Sequence, residues 1–156
     1  MITAQEIVGL LIGQVADITA VDLVKKCKDL GMRKVSYQDV GLDSSLPPFE
    51  SGYHFRFNLD DKEEVLFEIL EKDSLVLQAG YQLTLPASLF FSKAKKRHRQ
   101  FKEILETYYG VGKAMNVGRF KIVNYGNDTT VAYISRVNVA GADAIILRVG
   151  NRRFWD

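Results

Sequence analysis

Cysteine, proline and histidine are scarce in this chain, and each scarcity removes a class of explanation. Cys27 stands alone, so no internal disulfide can form. That excludes a disulfide-stapled secreted module and fits a reducing cytosol, the compartment expected here. With only three prolines and no compositional bias, the chain is not of a low-complexity or disordered kind. Two histidines far apart, His54 and His98, and one cysteine give no zinc-ligand spacing, and neither a metal nor a cofactor is expected. The start, MITAQEIVGLLIGQ, has no basic leader, carries Glu6 and is apolar without a break only from Leu10 to Ile12. It reads as neither a signal peptide nor a membrane span, so no membrane partner is expected.

What is present is an ordinary globular composition, 47% hydrophobic and 26% charged over 156 residues. Residues 1–156 are read as a single α+β domain, long enough to bury a core without a metal or disulfide staple. Its net charge of +2 conceals a split. Residues 1 to 92 carry 8 basic and 14 acidic groups, a balance of −6, whereas residues 93 to 156 carry 13 basic and 5 acidic groups, a balance of +8. A positive second half raises the expectation of an acidic partner.

No stretch repeats another. Thr3 and Glu6 make a capping box that opens a first helix bearing Ile7, Leu10 and Leu11 on one face. Thr19 and Asp22 make a second box, before a helix with Val21, Val24, Cys27 and Leu30 on one side and Gly31 at the left-handed stop. These two predict an N-terminal helical hairpin. Residues 36 to 52 hold two of the prolines and read as a long irregular connection. From Tyr53 the period becomes two, with Tyr53, Phe55, Phe57 and Leu59 alternating against His54, Arg56 and Asn58. Residues 64 to 71 are compatible with a helix capped by Asp61 and Glu64, but Val65, Phe67 and Ile69 alternate, which favours a hairpin strand. Residues 75 to 85 predict a third strand, bent at Gly80.

Pro86 and Ser88 are expected to open a long helix that Gly110 closes, and strands follow at 120 to 125, 130 to 139 and 144 to 149. The predicted architecture is therefore a mostly antiparallel sheet of about six strands in two runs, with one long amphipathic helix between the runs packed on the sheet.

Catalytic signatures fail on inspection. The glycines around Lys113 lack the first glycine and the Ser or Thr of a phosphate loop, and Met115 stands where a dinucleotide fingerprint needs its third glycine. Cys27 lies in an apolar stripe as a core residue. His54 reads as a solvated or edge-network histidine. The acids Asp60, Asp61, Glu63, Glu64, Glu68 and Glu71 are the one seed of a metal-dependent hydrolase, but turn carboxylates usually solvate, and Glu68 would face water on a half-wet sheet. No enzymatic activity is expected.

The stretch SKAKKRHRQFKEILETYYG is more informative, because six of the 21 Lys and Arg residues fall between Lys93 and Lys102. At 100° per residue, Phe91, Ala94, His98, Phe101, Leu105 and Tyr108 gather on one side as a core face. Lys95, Lys96, Arg99 and Lys102 occupy the other, flanked by Lys93 and Arg97. Together with Arg152 and Arg153 they form the expected binding surface for a partner or polyanion. The function expected is a non-catalytic protein-binding module, of immunity-protein, inhibitor or chaperone type, that neutralises or escorts an acidic partner such as a bacterial toxin. The alternative is a nucleic-acid-binding protein using the same helix, although no recognition motif accompanies the charge and the nearby aromatics face the core.

Overall fold

The structure, a computed structural model, describes residues 2–12, 15–35, 49–60, 63–86, 93–117, 120–139 and 142–155. Both helix-opening signals operate. In helix α1, Ala4–Ile12, the Thr3 amide donates to Glu6 Oε2 at 3.0 Å and the Glu6 amide to Thr3 Oγ1 at 3.2 Å. Helix α2, Ala20–Asp29, is capped by Thr19 Oγ1, which accepts from the Asp22 amide at 3.2 Å. Gly31 follows at φ +89°, the conformation that costs any other residue a steric penalty. The predicted apolar stripe of α2 is displaced: Ala20, Leu23, Val24 and Cys27 are buried, while Val21 is 64% exposed and Leu30 37%. The helices also do not form the expected paired hairpin. α1 lies against the later helix α3 and α2 against a strand, because their apolar faces are covered by the helix and sheet that carry the larger side chains.

Eight strands form one antiparallel sheet, two more than expected: β1 Arg33–Val35, β2 Ser51–Leu59, β3 Glu63–Lys72, β4 Leu75–Pro86, β5 Lys113–Val117, β6 Phe120–Gly126, β7 Thr130–Val139 and β8 Ala142–Asn151. The additions are the sheet's edges, β1 and β5. Both are short and open on a basic residue, Arg33 or Lys113, devices by which edge strands avoid pairing with other chains, and neither is long enough to show an alternating apolar signal. The disputed residues 64 to 71 are strand, within β3. Pro86 ends β4 rather than opening a helix; Ser88 and Phe91 lie outside the described residues, as does most of the irregular connection at 36 to 52. Helix α3, Lys93–Tyr109, ends at Gly110 with φ +87°.

The sheet order is β1-β2-β3-β4-β8-β7-β6-β5. Although the sequence carries no repeat, the element order does: a helix and a four-strand meander occur twice, α2 with β1 to β4 and α3 with β5 to β8. The meanders join where β4 pairs with β8, the register setting Gly80 opposite Arg148 and Tyr81 opposite Leu147. Side chains in paired register share a face. One face therefore carries Phe55, Phe67, Tyr81, Leu147 and Ile134, all buried, and the helices cover it. Phe101 of α3 anchors this layer with its ring 4.7 Å from that of Tyr81; a fully buried side chain of this kind contributes roughly 1.5–3 kcal/mol by the apolar area it removes from water.

Candidate functional site

Helix α3 lies across β4, β6, β7 and β8. It buries Ala94, Phe101 and Leu105 and half-buries His98. Tyr108, expected inside, is 52% exposed. Tyr109 takes the inward place, because its hydroxyl reaches Thr130 Oγ1 at 2.6 Å and its ring packs 5.9 Å from that of Tyr125. The helix runs its charge against its own dipole. Lys93, Lys95 and Lys96 fill the first turn, where the macrodipole is positive, and neither a first-turn acid nor a last-turn base compensates. Helix stability alone would favour the reverse order.

The six cations of α3 separate in three dimensions. Arg97 turns back to the β2–β3 turn, where Nη2 donates to Asp60 Oδ2 at 2.7 Å and Glu63 Oε2 at 2.8 Å, leaving its side chain 13% exposed. Lys93 and Lys96 are exposed on the outer side. Lys95, Arg99 and Lys102 converge with two residues of the sheet, Lys121 of β6 and Arg136 of β7, around a groove of about 730 Å³. Ala114, Met115 and Asn116 of β5 and Ile122 and Val123 of β6 complete its walls, and no acid is among the described residues that line it.

Lys121 and Arg136 are a directly opposed cross-strand pair. Two like charges in that register repel, so the pairing disfavours the fold it belongs to. Among the described residues, no carboxylate comes within ion-pair distance of Arg99, Lys121 or Arg136; Lys102 has Glu106 at 3.9 Å. His98, also in the groove wall, has its pKa lowered by burial first and then by Arg136 and Lys102, so it stays a neutral imidazole at pH 7. The groove is thus a concave cationic surface with one neutral imidazole, suited to holding anionic groups by charge and hydrogen bonding.

Arg152 and Arg153 are not part of it. They form a 3-10 turn after β8, where Arg152 Nε donates to Asn127 O at 2.7 Å and the side chain rests on Gly126. Gly126 stands five residues along β6 from Lys121, about 17 Å at strand rise. Sequence reasoning missed Lys121 and Arg136, yet a signal existed. Each is the one cation in the core-facing phase of its strand, Lys121 before Val123 and Tyr125 and Arg136 after Ala132 and Ile134.

The acids proposed as a hydrolase seed are dispersed among partners. Besides Asp60 and Glu63 on Arg97, Glu64 pairs with Arg56 and Tyr53 donates to Glu71. His54 and Glu68 are neither solvated nor edge groups as expected: they are 1% and 5% exposed and bonded to each other at 3.0 Å, because their face of the sheet is buried at this point. Asp61 lies outside the described residues, and among those described no group of three or more His, Cys, Asp or Glu is arranged to hold a metal. Cys27 is buried, and desolvation pushes its thiol pKa up to about 12, far from a reactive thiolate. Among the described residues no helix is long and apolar enough to cross a membrane. No protein-family model, curated protein or solved structure matches the chain.

Proposed function

We propose that this chain is a non-catalytic binding module that docks an acidic segment of a partner protein in the groove between α3 and the β5–β7 end of the sheet. An immunity protein, inhibitor or chaperone that neutralises or escorts its partner, such as a bacterial toxin, is the concrete form of this reading. The observation that carries it is the register of Lys121 against Arg136, facing Lys95, Arg99 and Lys102 across the groove. Such an arrangement opposes folding and is relieved by a bound anionic partner. Engagement of the described acids between Asp60 and Glu71 by protein partners, Asp60 and Glu63 by Arg97, Glu64 by Arg56, Glu68 by His54 and Glu71 by Tyr53, supports a non-catalytic role.

Phosphates would be attracted to the same cations, but a single-stranded nucleic acid also needs faces on which bases stack. Phe101 is buried and Tyr109 is committed to Thr130, and no Phe, Tyr or Trp side chain is among the described groove-lining residues, which leaves the half-buried His98 as their one ring. A protein ligand is therefore preferred.

The test titrates the purified chain with a fluorescent Glu- and Asp-rich peptide and, separately, with labelled RNA and DNA at two salt concentrations. The peptide is expected to bind, and combined Lys121→Glu and Arg136→Glu substitutions to weaken it by about tenfold or more, since each hydrogen bond to a charged group contributes roughly 1.5–3 kcal/mol. Combined Lys93→Glu and Lys96→Glu substitutions, outside the groove, should have little effect. Tighter, steeply salt-dependent binding of RNA or DNA would replace this reading with the nucleic-acid one. Binding of neither, or equal loss in both variant pairs, would remove the groove as the site.

A further inference from the structure

The sheet face turned away from the helices holds a second, chemically different cavity of about 230 Å³, lined by Gln78, Val131, Tyr133, Arg148 and Trp155 among others. Register explains its construction. Gln78 pairs with Gly150 and Gly150 with Val131, while Gly80 pairs with Arg148 and Arg148 with Tyr133, so these residues occupy two adjacent rows of one face. Glycine makes room in each row. A Cβ on Gly150 would stand 2.6 Å from Trp155 Nε1, so the indole lies directly over that backbone, and the Trp155 N–H donates to Leu77 O at 3.2 Å. A Cβ on Gly80 would stand 2.7 Å from Arg148 Cδ, so the arginine side chain lies across Gly80.

Of two polar groups in this cavity, one is unused by the fold and the other is used only in part. Gln78 is 2% exposed, and its Nε2 has no hydrogen-bond partner among the described residues. A buried amide donor without an acceptor is costly, and few are kept without a reason. Arg148 donates to Tyr81 O at 3.3 Å, and among the described residues no carboxylate lies within ion-pair distance of its guanidinium. Around these two donors stand apolar and aromatic walls, Val131, Tyr133 and Trp155. Cationic donor, amide donor and aromatic wall together select a ligand that is planar at one end and anionic at the other. The volume is below the roughly 300–1,000 Å³ that houses drug-sized ligands, and admits one ring.

We infer that this cavity is a binding site for a monocyclic aromatic carboxylate, the carboxylate taken by Arg148 and Gln78 Nε2 and the ring held between Trp155 and Tyr133. It is independent of the cationic groove, which lies toward the other end of β6 and β7 and on the helix-covered face.

Trp155 is the chain's one tryptophan, so its fluorescence reports this cavity directly. Titration of the full chain with benzoate is expected to give a saturable change at millimolar concentration or below, and benzylamine and benzyl alcohol none. Arg148→Met should weaken benzoate about tenfold, the loss of a charge-assisted hydrogen bond. Val131→Phe, which fills the cavity and leaves the charge in place, should abolish the response and serves where Arg148→Met perturbs the sheet; circular dichroism verifies the fold of each variant. The groove variants Lys121→Glu and Arg136→Glu should leave the benzoate response unchanged even if they abolish peptide binding. No saturable response to benzoate, an equal response to benzylamine, or loss of the response in the groove variants overturns the inference.

Discussion

The two sides of this sheet treat charge in opposite ways. Around β2 and β3, Arg56 pairs with Glu64, Arg97 is held between Asp60 and Glu63, and His54 bonds Glu68 within the sheet face. Around β6 and β7, Lys121 is set directly against Arg136, and three further cations of α3 face them across a groove. Folding accounts for the first arrangement, since a paired charge satisfies its neighbour and costs little. It does not account for the second, which stores repulsion in the native state. The opposed Lys121 and Arg136 break a local pairing rule, and rules of this kind are most often broken at functional sites.

The largest expected effect tests the seam that holds the two sides in one sheet. At Gly80 a Cβ would meet Leu147 O at 2.2 Å, a backbone atom that cannot swing aside, besides the Arg148 side chain. Gly80→Ala is expected to destabilise the chain by about 3 kcal/mol, the upper end for overpacking, read as a lowered urea midpoint. If both sides then unfold in one transition, the meanders are a single cooperative unit. A stable Gly80→Ala protein would show that β4 and β8 are not closely apposed at this point.

A smaller effect tests the paired side. Glu63→Ala removes one of the two carboxylates on Arg97 and leaves Asp60 to hold the guanidinium, so a loss of about 1 kcal/mol is expected. Arg136→Ala on the other side should cost no stability and can gain some, because it deletes a repulsion. Equal losses in both proteins would erase the distinction between the two sides.

Much of this was legible in the sequence, and what was not has physical reasons. The capping box at Thr3, the N-cap half of the box at Thr19 and the period-two run from Tyr53 rely on contacts within a few residues or on one buried face, and each matches the structure. Edge strands β1 and β5 were hidden because their pairing lies on one side only and asks nothing of their side chains. Arg97 looked like one more solvated cation, because its carboxylates lie over 30 residues away and only tertiary packing brings them close. Lys121 and Arg136 are 15 residues apart in sequence, and their opposition is fixed by register, which no local pattern reveals. Tyr108 and Tyr109 both fall near the core stripe of α3 by angle, and Thr130 decides between them.

The smallest expected effect is also the one that separates folding from binding most cleanly. Lys121→Glu replaces a like-charge cross-strand pair with an opposite-charge one against Arg136, so the chain should become more stable by a few tenths of a kcal/mol, up to about 1 kcal/mol. Salt should shrink the gain, since both side chains are exposed. The same substitution lowers the positive charge of the groove by two and should weaken the acidic peptide. Stability and binding would then move in opposite directions on a single substitution. A residue that only decorates the surface would change neither in this way, and one needed for folding would lose both. A higher thermal midpoint together with weaker peptide binding would therefore identify the Lys121–Arg136 repulsion as a cost carried for the sake of a partner, whereas a lower midpoint would assign Lys121 to the fold.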